Sequence, residues 1–308
     1  MSDQEWPDTI QAGESEQHEP LVRRVLAPNP SPYTFTGTQT WLVGAGDDLA
    51  VIDPGPIGSG KSVGDPAMPS DANGEGHVEA ILKAAGGQKI TAIICTHTHR
   101  DHSPAAAPLQ AATGAPIIGC APLAIADDGP RSDSAFDPDY APDQILADGD
   151  TISGDGWTLE AVTTPGHTSN HVCFALHESG ALFTGDHVMK WSTSVVVPPD
   201  GNMRHYMESL QKLYEREDRV YYPAHGPAVK KPQQLVRGMI GHRRQRERQI
   251  AKLLDTGEGH VPTMVQHMYK GLDERLHGAA QRSVLAHLID LEQRGLAARD
   301  GDIWKKAG

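Results

Sequence analysis

The sequence predicts an α/β protein with a helical appendage at its C-terminal end, and three observations carry that prediction. Short β-rich apolar runs alternate with helical stretches as far as about residue 233. His and Asp gather where those runs end, as they do in layered α/β folds whose sites sit on loops at strand termini. Beyond residue 233 the pattern turns to helix, helix, helix and a short ribbon.

Each element follows from local chemistry. Residues 1–30 are polar, acidic and end in APNPSP, which predicts an N-terminal arm. TQTWLVG and DLAVIDPGP, separated by GAGDD, predict a hairpin. Residues 57–76 are rich in Gly, Pro, Ser and Asp, and their GSGK lacks the spacing of a phosphate loop. HVEAILKAAGG predicts a helix closed by glycine, and KITAIIC a buried strand. Helical SPAAAPLQAATG and strand-like APIIG follow. After a second acidic loop at 127–143, ILADGDTIS, WTLEAVTTPG, HVCFALHES and ALFTGDHV predict successive strands. MRHYMESLQKLYERE predicts an amphipathic helix, and RVYYPAHGP a strand running into a loop. The tail reads as a long basic helix from PQQLVRG, a second helix at HVPTMVQHMYKGL, a third, and a ribbon around ARDGDIW. That order is winged-helix-like, and the boundaries are set at 1–30, 31–233 and 234–308.

Composition narrows the function classes. No run approaches the roughly 20 apolar residues of a membrane span, and the acidic start MSDQEWPDTI lacks a secretory pattern, so a cytoplasmic protein is expected. Cys95, Cys120 and Cys173 form no CxxC and are expected to be buried small hydrophobes. The net charge of −13 argues against a surface that binds nucleic acid throughout. The charge is uneven: residues 234–308 hold 13 Lys and Arg against 9 Asp and Glu, net +4, leaving −17 for residues 1–233.

The strongest signal is HTHRDH directly after the buried strand. His97 and His99 alternate with Thr98, so both side chains leave an extended backbone on one side. Asp101 and His102 follow in a turn able to face a second ion. His167 in PGHT, Asp186 in TGDH and His225 in PAHG each end a β-run beside a Gly or Pro that turns the chain. Five imidazoles and two carboxylates suit zinc.

With these motifs in this order the chain resembles the metallo-β-lactamase superfamily over roughly residues 38–233, with VIDPGP matching its early Asp. The resemblance implies a four-layer αββα metallo-β-lactamase sandwich. It implies one Zn2+ on His97, His99 and His167, and another on Asp101, His102 and His225, bridged by Asp186. Asp53 would support the site without being a ligand. Asp101 and Asp186 would be the catalytic carboxylates, acting with a hydroxide held between the ions on an ester, thioester or lactone. Asp186 resembles the glyoxalase II and lactonase side of the superfamily rather than true β-lactamases, though weak promiscuous lactam hydrolysis fits any such site. GDHVM, PAHGP and the helical tail most resemble the beta-lactamase-like protein 2 family, which implies an alternative, metal-dependent endoribonuclease. RNA would then use Arg243, Arg244, Arg246 and Arg248, although a helix face packing the tail is the simpler reading of that segment. A mononuclear iron persulfide dioxygenase is a further alternative, as is a metal-sensing DNA-binding regulator, and Fe or Mn could replace zinc. The expected partner is a small-molecule substrate, with no membrane. Lys190, Lys230 and Lys231 are the nearby cations that could meet a substrate carboxylate. His171 and His187 are expected to support the site or the core. The loops 57–76 and 127–143 are expected to border it.

Overall fold

The computed structural model describes residues 10–57, 75–123, 136–273 and 276–308. The GSGK stretch and residues 127–135 of the second acidic loop lie outside them. The chain divides into two compact units: Met1–Thr163, Asn170–Ser192 and Asp218–Pro232 make the first, and Thr164–Ser169, Thr193–Glu217 and Gln233–Gly308 the second.

The first unit contains two mixed sheets. One has seven strands in sequence order: β1 (Ser15–Glu19), β2 (Val22–Leu26), β3 (Gln39–Val43), β4 (Asp48–Ile52), β5 (Lys89–Cys95), β6 (Ile117–Gly119) and β7 (Gln144–Ile145). Pairing is antiparallel from β1 to β4 and parallel from β4 to β7. The other runs β12-β11-β10-β9-β8, built from β8 (Thr151–Gly154), β9 (Trp157–Thr163), β10 (Val172–Leu176), β11 (Ala181–Gly185) and β12 (Val220–Pro223). Its β11–β12 pair is parallel and the rest antiparallel. One hydrophobic cluster joins Val43, Ile52 and Ile93 of the first sheet to Leu159, Phe174 and Phe183 of the second. It also takes in Ile81 of α1 (Glu75–Ala85) and Leu109 of α2 (Ala106–Thr113). Strands such as β3, β10 and β11 are buried at every residue, which is why they read as unbroken apolar runs rather than alternating ones.

Two expectations are corrected here. Residues 15–26, read as part of an arm, form the β1–β2 hairpin of the larger sheet, and Val22 and Val25 are fully buried. The charges hid this. Arg24 is buried, and its guanidinium donates to Glu16 Oε2 at 2.7 and 2.9 Å and to Gln39 Oε1 at 2.6 Å, so its polarity does not mean exposure. ILADGDTIS is not one strand either. β7 and β8 belong to different sheets, parted by a turn in which Ala147 N donates to Asp150 Oδ2 and Gly149 takes φ +84°.

The second unit is helical: α3 (Met203–Tyr214), α4 (Pro232–Asp255), α5 (Val261–Met268) and α6 (His277–Gln293), followed by the ribbon β13 (Ala297–Asp300) and β14 (Ile303–Lys306). Asn202 caps α3 by accepting from His205 N. Ile250, Leu254, Met264, Val284, Leu288 and Trp304 share a core, so three helices and the ribbon close on one another as the tail's pattern predicts. Arg243 is buried in this unit, donating to Ser194 O and to Ser283 Oγ and lying over the Tyr206 ring. Arg246 bonds Gln249 and the Met268 carbonyl and stacks 4.2 Å from the Tyr269 centroid. Two arginines of the basic segment therefore pack the tail.

Candidate metal centre

Strand β5 delivers the densest motif. Its buried run ends at Cys95, and Thr96 then hands both polar groups to Asp53: the backbone N–H donates to Oδ1 and the hydroxyl to Oδ2, each at 2.8 Å. Asp53 is fully buried, with φ +50°, and its Oδ2 also lies 3.0 Å from His102 Nδ1. The carboxylate thus fixes the end of β5 and the His102 tautomer together, placing Nε2 as the lone-pair nitrogen. His225 is anchored similarly, with Nδ1 3.3 Å from the Gly37 carbonyl.

Asp186 and His225 follow strands that are parallel neighbours, with Gly185 in register with Pro223 and Ala224 N donating to Gly185 O. That register sets the two side chains side by side. Gly185 has φ +48°, and a Cβ there would come within 2.7 Å of both His171 Nε2 and Thr96 Oγ1, so the TGDH glycine is required by close approach. His171 Nε2 also accepts from Asp186 N at 3.3 Å and so supports the strand end, and His187 is buried with its ring centroid 5.6 Å from that of His171.

Two groups of ligand atoms result. His97, His99 and Asp186 each bring one within 4.8 Å of the others, and Asp101, His102 and His225 do the same. His97 Nε2 and His99 Nδ1 stand 3.0 Å apart. His225 Nε2 lies 3.1 Å from Asp101 Oδ2 and 3.3 Å from Asp186 Oδ1; His102 Nε2 lies 3.4 and 3.6 Å from the same oxygens. The buried Nε2 atoms of His102 and His225 make no hydrogen bond of ordinary geometry among the described residues. Imidazole nitrogens converging on carboxylates in a buried pocket, with their far nitrogens already anchored, fit divalent cations of the zinc type. His167 is carried by Thr164–Ser169, which clusters with the second unit. There its Nδ1 donates to the Val195 carbonyl at 2.6 Å, leaving Nε2 as its lone-pair nitrogen.

Electrostatics agree with that fit. Burial pulls the His102 and His225 imidazoles down, yet the surrounding Asp101 and Asp186 carboxylates outweigh it and raise both, His102 well above the ordinary value. Burial pushes Asp101 up, and His102 and His225 outweigh it, holding the carboxyl well below the usual range. The carboxylates therefore demand positive charge, which a divalent ion provides. His99 and Asp101 are partly exposed while His97, His102 and His225 are buried, so the open side of the cluster lies at His99 and Asp101.

Some supporting groups left no mark in the sequence. The Gly37 carbonyl is a backbone atom. Asn170, which donates to Thr98 Oγ1 and the Ala121 carbonyl, sits inside an unremarkable TSNH. Lys190, Lys230 and Lys231 are exposed, and the three cysteines are buried and form no disulfide among the described residues.

This fold and this cluster define a class, the metal-dependent hydrolases built on two mixed sheets. The family model of the metallo-beta-lactamase superfamily matches residues 33–225, and the chain belongs to that superfamily. A beta-lactamase associated winged helix domain matches residues 261–304. Similar proteins include the atrochrysone carboxyl ACP thioesterase of Aspergillus fumigatus, 32% identical over 75% of this chain and 64% of its own length. A beta-lactamase-like protein 2 homolog of Drosophila melanogaster is 30% identical over 89% of this chain and 88% of its own. Among solved structures, a beta-lactamase domain protein from Burkholderia ambifaria superposes with a TM-score of 0.75 at 22% identity, covering 98% of this chain and 96% of that one. Among the described residues, no helix is long and apolar enough to cross a membrane.

Proposed function

We propose that this chain hydrolyses thioester or ester bonds of small acyl substrates using two zinc ions. The observation that carries the reading is the pair of neighbouring ligand groups, with Asp186 in one and its Oδ1 3.3 Å from His225 of the other. His97, His99 and His167 would hold one ion, Asp101, His102 and His225 the second, and Asp186 would reach both. When bound, such a pair of ions supplies Lewis acidity and a nucleophile at neutral pH.

The chain's own groups do the rest. Asp53 and the Gly37 carbonyl keep His102 and His225 in the tautomer that presents Nε2. Asp101, the more exposed of the two carboxylates, with 27% of its side chain accessible, is placed to orient the attacking water and pass its proton to the leaving thiol or alcohol. The similarity to the A. fumigatus ACP thioesterase supports an acyl thioester as the bond cleaved. The commitment of Arg243 and Arg246 to packing weighs against the RNA-cleaving alternative.

The test is thiol release from acyl N-acetylcysteamine thioesters, with wild type, chelator-treated protein and Asp101→Asn. The reading expects turnover that chelation abolishes and zinc restores, and a kcat in Asp101→Asn lower by about 10²–10⁴-fold. Absence of thiol release, with RNA cleavage or oxygen consumption on a persulfide in its place, would sink it.

A further inference from the structure

We propose that Phe35 and Trp191 form an aromatic wall beside His225 that selects substrates with an aryl or similarly planar acyl group. The chemistry rests on the hydrolase reading above; the wall's geometry does not.

The two rings stand 5.2 Å apart between centroids, tilted by 32°, and both side chains are half-buried. Each is tied to the His225 segment from a different side. Phe35 lies two residues before Gly37, whose carbonyl faces His225 Nδ1. Trp191 packs on Gly226, the residue after His225: a Cβ on that glycine would come within 2.6 Å of the indole Cδ1. Both rings therefore flank the loop that carries the candidate ligand.

Two local costs converge on this pair. Phe35 holds φ +58°, a conformation that bulky L-residues avoid, and the turn that imposes it is fixed by Ser31 N donating to the Phe35 carbonyl at 3.2 Å. The Trp191 indole Nε1 is buried without a hydrogen-bond acceptor among the described residues. A glycine at 35 and a phenylalanine at 191 would remove both costs. A strained residue and an orphan donor in one ring pair beside a candidate ligand point to ring surface that serves binding rather than stability. Tilted aromatic rings offer offset-stacked and edge-to-face partners, which a planar acyl group uses and a flexible alkyl chain of equal size does not.

The experiment compares benzoyl and heptanoyl N-acetylcysteamine thioesters, which carry equal numbers of acyl carbons, on wild type, Phe35→Gly, Trp191→Leu and Trp191→Phe. Wild type should favour benzoyl in kcat/KM. Phe35→Gly and Trp191→Leu should each cut the benzoyl-to-heptanoyl ratio about tenfold, mainly through KM, as expected for lost ring contacts. Trp191→Phe should keep the preference. An unchanged ratio in both variants, or equal losses on the two thioesters, would overturn the wall. Calorimetry with benzoate and heptanoate gives a readout without turnover. If wild type cleaves neither thioester the hydrolase reading fails, while benzoate binding weakened by Phe35→Gly, with heptanoate binding unaltered, would still uphold the wall. Equal binding of the two acids by wild type would overturn it.

Discussion

Asp53 shows how much one buried carboxylate can organise without touching a substrate. It takes two hydrogen bonds from Thr96 and contacts the His102 ring, so the end of β5 and the orientation of a candidate ligand depend on the same two oxygens. In Asp53→Asn an amide NH2 must face either the Thr96 hydroxyl with the imidazole or the Thr96 N–H. We expect metal affinity to fall about 10–100-fold, read by competition with a chromogenic chelator, and retained affinity would refute this role. His77 supplies a pH-dependent counterpart. Burial lowers its pKa to about 4, while its Nε2 pairs with Thr40 Oγ1. Because the folded value lies below the ordinary 6.5, protonation favours the unfolded chain. The stability it confers is complete above pH 6.5 and is lost as pH falls toward 4. Wild type should lose up to about 3 kcal/mol across that window from this residue. His77→Gln should show a flatter curve in denaturant melts; an equally steep curve would remove His77 from the account. The residues legible in the sequence were those whose chemistry is local. The histidines and aspartates of HTHRDH, PGHT, TGDH and PAHG announce themselves by type and by their place after β-runs. Phe35 and Trp191 do not, because an aromatic residue in a loop reads the same whether it lines a site or fills a gap.

At the scale of elements, strand ends position the chemistry. β11 and β12 are buried throughout and β5 over its last four residues, and each is followed within two residues by a candidate ligand. Gly185 marks how tightly they meet. Gly185→Ala places a side chain at φ +48°, which costs an L-residue about 1–2 kcal/mol, and drives the Cβ into His171 and Thr96. A loss of at least about 2 kcal/mol, together with weakened metal binding, is expected. An unchanged melting temperature would show that the strand ends are looser than described. Core strands were readable because burial on both faces leaves unbroken apolar runs, as in KITAIIC and ALFTG. β1 and β2 were not, because SEQHE and VRRVL hide a sheet edge behind charges that Glu16 and Arg24 satisfy internally. The split of ILADGDTIS between two sheets was equally hidden, since a turn signal inside an apolar stretch does not say which sheet comes next.

Across the whole molecule, the charge balance supports the proposed small-molecule substrate over a polyanion. Residues 1–233 carry −17, a field that repels polyanions, and the tail's +4 is partly invested in packing through Arg243 and Arg246. The family match and the helical tail were legible as a pattern; the substrate was not, since specificity in this fold resides in loops rather than in the motifs that hold metal. A site for two ions that share Asp186 is read out by the metal content per chain. Plasma mass spectrometry should be run on protein purified without added metal, wild type beside Asp186→Ala. Two zinc ions per chain are expected in wild type and fewer in the variant. A single iron in wild type, or a metal content that Asp186→Ala leaves unchanged, would contradict it.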